Sequence, residues 1–298
     1  MEIFPFQEKL NSDTLFQMTN DELYRLRENG FIAAEHETEE DFKKRIAFCE
    51  SLTTSFTSDP TLSQRLEEGI AHLHPLYAIA PRWIPLYYSN KGLPPWQAGC
   101  AWIFQTEKGG PTGATIQLRK KFYRSSTYFS LSIRELIAHE LAHVGRLAFN
   151  EPKYEEFFAY ETAETSFRKR YGPLFQSAYE SLFLLLLFFV PLLFSLYAIF
   201  TYTTLEPLRM LSLQLLPLAY ILFLFVRLYR RRTNFSTTKK KLESLYSQKA
   251  GPIFYMLTDS EIELFPKLEE KEIEEYFLKQ DSLRKQQITS FINSREQV

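Results

Sequence analysis

His139-Glu140-Leu141-Ala142-His143 is an HExxH pentapeptide, two imidazoles four residues apart with a carboxylate beside the first. On a helix this spacing puts both histidines on one face, about one turn apart. Their nitrogens can then reach one Zn²⁺ at about 2.0–2.1 Å. Glu140 is placed to act as general base on a zinc-bound water and later to pass the proton to a leaving amine. The chain has five histidines (His36, His72, His74, His139 and His143), so abundance does not account for two at ligand spacing around a glutamate. Ile137, Ala138, Leu141, Ala142 and Val144 are uncharged and include no proline. They give the helix an apolar side to bury while the histidines face a cleft.

A catalytic zinc takes a third protein ligand. The longer form HExxHxxGxxH fails, because Arg146 and Phe149 stand where it needs glycine and histidine. A carboxylate further on must serve. Glu151-Pro152 reads as the start of a second helix, folded back antiparallel to the first by a short turn. On it Glu156, Ala159, Tyr160 and Ala163 share a face, and the two alanines permit close approach to the first helix. Glu155 and Glu161 are alternatives that counting from the turn does not separate from Glu156. Tyr160 is either a hydrogen-bond donor to an oxyanion or an aromatic packed between helices. Arg146 either binds a substrate carboxylate or pairs with a glutamate of the second helix. His72 and His74 read as ordinary residues, and Trp83, Trp96 and Trp102 as core beneath a hairpin.

HELAH followed by EEFFAY resembles the gluzincin group of zinc metallopeptidases, over residues 95–170. In that group the third ligand is a glutamate on the next helix, in patterns such as ExxA. The resemblance implies that Glu156-Phe157-Phe158-Ala159 supplies it through Glu156, that the cofactor is Zn²⁺ and that peptide bonds are hydrolysed. Only 12 residues separate His143 from Glu156, fewer than is usual in the group. In the prenyl-protein and heat-shock membrane endopeptidases, helices commonly precede the motif, whereas here apolar runs follow it.

Several elements must position these residues. AGCAWIFQ and ATIQLRKKF read as hairpin strands around the glycine-rich turn TEKGGPTG. An edge strand there can hold an extended peptide by β-addition. Ser132 opens the HExxH helix, which the pattern carries to near Asn150. Residues 1–80 read as helical, with a capping box at Thr19 and Glu22 and a stop at Asn29-Gly30. Thr258 and Glu261 repeat the capping pattern in a polar helical tail.

Residues 181–205 and 210–226 contain no charged residue, and the only charges in the link between them are Glu206 and Arg209. About 20 apolar residues span a bilayer core as a helix, and proline is tolerated in such helices. The link is short, so the runs form a hairpin with both ends on one side. Arg168, Lys169 and Arg170 precede it, and Arg227, Arg230, Arg231, Arg232, Lys239, Lys240 and Lys241 follow. Basic flanks assign both termini and the active site to the cytoplasmic side. Arg119, Lys120, Lys121 and Arg124 add attraction to anionic lipid.

The expected organisation over 298 residues is therefore α+β and mostly helical. It comprises a helical N-terminal region (1–80), a zincin-like catalytic core (81–173), a transmembrane hairpin (174–229) and a cytoplasmic helical tail (230–298). The zincin-like core combines the β-hairpin, the HExxH helix and the antiparallel glutamate helix. The formal net charge of −1 excludes bulk nucleic-acid binding. It conceals segregation: residues 1–68 carry −8, 69–170 carry +5, 227–241 carry +7 and 243–298 carry −4. Two cysteines exclude a disulfide scaffold. The start lacks the pattern of a signal peptide. The expected activity is zinc-dependent hydrolysis of a peptide or membrane-protein substrate at the cytoplasmic membrane face. The alternative is a non-catalytic membrane adaptor with a structural or vestigial zinc site. The acidic N-terminal region is a candidate cover for a basic cleft.

Overall fold

The computed structural model describes residues 18–55, 59–105, 112–201, 207–279 and 282–294. The turn at 106–111 and the loop at 202–206, both expected from the sequence, lie outside the described residues. The chain opens with α1 (Asn20–Glu28), α2 (Glu39–Ser55) and α3 (Pro60–Tyr77). Thr19 and Glu22 form the reciprocal capping box of α1, and Gly30 follows its end at φ 78°. Asp59 caps α3, with Pro60 in its first turn, where a missing N–H costs nothing.

The strands β1 (Leu86–Tyr88), β2 (Gly99–Gln105) and β3 (Thr112–Leu118) form a sheet in the order β1-β3-β2. β2 and β3 are antiparallel, as the hairpin reading expects, with Gly99 opposite Leu118 and Gln105 opposite Thr112. β1 adds parallel to β3; three residues are too few to display an alternation. A short ladder of β4 (Thr127–Tyr128) and β5 (Leu131–Ser132) leads into α4 (Ile133–Gly145), the HExxH helix. Next come α5 (Glu155–Glu161), α6 (Ser166–Tyr171), α7 (Ala178–Phe200) and α8 (Pro207–Tyr246). The tail is α9 (Ala250–Tyr255), α10 (Asp259–Leu264), α11 (Glu270–Leu278) and α12 (Leu283–Asn293).

Two boundaries differ from the sequence reading, for reasons of tertiary contact. α4 ends at Gly145 rather than near Asn150, which sits at φ 51° in a left-handed turn. There the Arg146 side chain is drawn into the core, donating to the carbonyls of Tyr255 at 2.6 Å and Leu257 at 2.9 Å. α5 begins at Glu155 rather than at Glu151-Pro152. Just before it, the backbone N–H groups of Lys153 and Tyr154 donate to the Asp259 carboxylate at 2.9 and 3.3 Å. The second helix also splits in two. The Thr162 hydroxyl donates back to the Ala159 carbonyl at 2.6 Å, and Thr165 caps α6 by accepting from the Arg168 N–H.

One hydrophobic core runs from Phe31 to Phe291 and draws on α2 to α5, the three-stranded sheet, the later part of α8 and α9 to α12. The boundaries drawn at residues 80 and 230 pass through it. α3 packs on α4 so closely that a methyl at Gly69 would overlap Ile137. Tyr77 of α3 stacks on Tyr255 of α9, centroids 4.2 Å apart, and the Tyr255 hydroxyl donates to the Ala142 carbonyl at 2.5 Å. Trp83 is buried and stacks on Phe31. Trp96 and Trp102 are exposed, contrary to the core reading; Trp102 instead lies across the sheet and donates to Gln117 at 2.7 Å.

α7 and α8 are long and apolar enough to cross a membrane, with mean hydropathies of 2.7 and 1.4 over the candidate spans. Most leucines and phenylalanines of α7, and of α8 from Leu215 to Phe225, face outward, unlike those of a soluble core helix. Pro191 and Pro217 lie inside continuous helix. Glu180 near the start of α7 meets Arg227 of α8 at 2.5 Å, so the two helices join at one end. α8 then continues into the soluble core, where Phe235 packs against Phe158 and Phe254 at 5.1 and 4.5 Å between ring centroids.

Candidate metal centre

α4 is held in place before its histidines are considered. Ser132 caps it by accepting from the Glu135 N–H at 3.1 Å. Glu135, buried, is gripped by Arg168 of α6 at 2.6 and 2.9 Å. Ile137, Ala138, Leu141, Ala142 and Val144 are buried, as the apolar side of the motif requires. The histidine face looks out between β2 and α5.

His139, His143 and Glu156 each bring one ligand atom into a group spanning no more than 4.8 Å. The two Nε2 atoms are 3.3 Å apart. Glu156 reaches them from α5, Oε2 at 3.8 Å from His139 and Oε1 at 3.7 Å from His143. Tetrahedral ligands at about 2.0–2.1 Å from a zinc ion stand about 3.3 Å from one another. The observed separations are near that value, so the donor set fits a divalent metal with small side-chain adjustments. The three side chains are 20%, 15% and 25% exposed, which leaves an open side for water or substrate.

A second layer orients the ligands. The Ala159 backbone acts on the His139 ring, favouring its protonated form. His143 Nδ1 lies 3.3 Å from Glu155 Oε1, and the other oxygen of Glu155 accepts from Arg146 Nε at 3.1 Å. Such partners fix which imidazole nitrogen is free to bind metal. Of the three glutamates considered, then, Glu156 faces both Nε2 atoms, Glu155 backs His143, and Glu161 pairs with Lys239 at 2.9 Å. Arg146 is buried against Phe149 and Phe158 and pairs with a glutamate of the second helix. Tyr160 packs edge-on to His139, centroids 4.8 Å apart. His72 Nε2 donates to the Thr162 carbonyl, 2.6 Å away, a structural contact.

The metal-free electrostatics follow from crowding these groups. Burial, then the adjacent His143, pushes His139 down to about 3. Burial also opposes a charge on His143, but Glu155, Glu156 and Glu140 outweigh it and raise the group to about 9. Glu156 and Glu140 are both raised, chiefly by burial. A divalent cation bound among these carboxylates and imidazoles would invert these preferences.

Glu140 is buried and accepts from the Ala101 N–H of β2 at 2.7 Å. No strand among the described residues pairs with the outer edge of β2. This link between the glutamate and the edge strand had no signal in the sequence, since 39 residues separate the partners. The same is true of Asp259, which fixes the start of α5 from the tail. Both cysteines are free, Cys49 buried and Cys100 half-buried, and burial pushes their thiols up to about 12 and about 11.

No protein-family model, curated protein or solved structure matches this chain.

Proposed function

We propose that the protein is a membrane-anchored zinc-dependent metallopeptidase. The observation that carries this reading is the convergence of His139, His143 and Glu156 at zinc-like separations, with Glu140 on the same helix facing an open strand edge. His139, His143 and Glu156 would hold the ion. When bound, Zn²⁺ supplies Lewis acidity towards a carbonyl and acidifies water. The Glu140 carboxylate takes the proton of the attacking water and delivers it to the leaving amine. The outer edge of β2 holds the peptide extended, and for this the Ala101 N–H exchanges its bond to Glu140 for one to the substrate. Glu155, with Arg146 behind it, and the Ala159 backbone keep the imidazoles in register. Anchoring by α7 and α8, with the basic flanks inside, sets this chemistry at the cytoplasmic membrane face.

The test is cleavage of a peptide library by the full-length protein in detergent. Wild type is expected to cut, and Glu140→Gln to lose about two to four orders of magnitude of rate while keeping its metal. Metal binding without any cleavage by the wild type would leave the adaptor reading instead.

A further inference from the structure

Three large aromatic side chains outside α7 and α8 stand in solvent: Phe129 is 82% exposed, Trp96 74% and Phe167 71%. Single exposed aromatics are ordinary on a surface. These are joined by contacts that lead to the apolar helices. The Tyr128 hydroxyl donates to the Pro95 carbonyl, next to Trp96, and its ring lies 4.7 Å from that of Phe129. Arg168 donates to the Ser130 carbonyl at 3.2 Å, tying the Phe129 tip to α6. On α6, Phe167 lies 5.1 Å from Tyr171, which in turn lies 6.3 Å from Phe225 of α8.

Charge and backbone agree with this continuity. Lys120, Lys121, Arg124 and Arg170 are exposed around the same aromatics. The neighbouring acid Glu164 is engaged by Arg134 at 2.6 Å. Phe129, with its ring exposed, sits at φ 50°, a left-handed conformation unfavourable for a residue with a side chain. Aromatics mixed with Lys and Arg are what an anionic bilayer interface selects.

We infer that this aromatic and basic face rests on the anionic leaflet that α7 and α8 cross. The cleft is drawn down with it, because the Tyr160 ring packs against His139 and fills the space a Cβ at Gly172 would need, six residues before α7. A peptidase in that position meets chains tethered to the same membrane. The docking face rests on the membrane-spanning reading of α7 and α8 and is independent of the metal's identity.

Trp96 is its own reporter. The full-length protein is placed in phosphatidylserine vesicles with and without brominated acyl chains, which quench tryptophan on contact. Quenching is expected in the wild type and is expected to disappear in Trp96→Phe; Phe129→Trp should add a second quenched, blue-shifted component. Replacing Lys120, Lys121 and Arg124 by Glu should weaken the quenching at least about twofold. Equal quenching in wild type and Trp96→Phe, with Phe129→Trp emitting as in water, would overturn the docking face. Failure to float with vesicles would remove the membrane reading itself. Neither result touches metal binding or cleavage measured in detergent.

Discussion

At the scale of residues, the site depends on more than its three ligands. Glu155 is one residue from Glu156 and does different work: it links His143 to the buried Arg146. Glu155→Gln is expected to weaken zinc binding by about 10–100-fold, measured by competition with a chelator. Glu161→Gln, which breaks only the pair with Lys239, should leave affinity unchanged. Equal effects from the two would contradict the assignment of Glu155 to the layer behind the ligands. Arg146 holds three partners inside the core. Arg146→Ala strands the Glu155 carboxylate and two carbonyls, and is expected to cost about 3–5 kcal/mol in denaturant unfolding. A loss below about 1 kcal/mol would show that these contacts do not hold the tail to α4.

At the scale of elements, local signals are legible in the sequence and long-range ones are not. The HExxH spacing, the capping boxes at Thr19 and Thr258, the β2–β3 pairing and the two apolar helices each depend on neighbours in sequence or on a period. The ends of α4 and α5 depend on Tyr255, Leu257 and Asp259, more than 100 residues away, and no period reports them. The same limit explains why Glu155, Glu156 and Glu161 stayed unresolved: a helix start shifted from Glu151 to Glu155 rotates every later side chain. The α3–α4 contact offers a test of packing at this scale. Gly69→Ala drives a methyl into Ile137 and is expected to destabilise the fold by about 1–3 kcal/mol. Little or no change in the unfolding midpoint would mean that α3 does not brace the HExxH helix so tightly.

At the scale of the molecule, the charge segments suggested separable pieces, whereas the core joins them. α8 begins as an apolar candidate span and ends as a core helix, so the candidate span and the hydrophobic core share one continuous helix. α9 closes the far side of α3 and α4 through Tyr255. A chain cut after residue 173 therefore leaves the faces of α3, α4 and α5 open. It is expected to lose cooperative unfolding and zinc binding together, as calorimetry and metal analysis would register. A stable, zinc-binding 1–173 fragment would instead make the catalytic core a domain in its own right.

The most direct measurement is the metal content of the purified full-length protein. One zinc per chain is expected in the wild type, retained in Glu140→Gln and lost in His139→Ala. A wild type with no stoichiometric metal after zinc loading, or a His139→Ala variant that keeps its zinc, would contradict the site described at His139, His143 and Glu156.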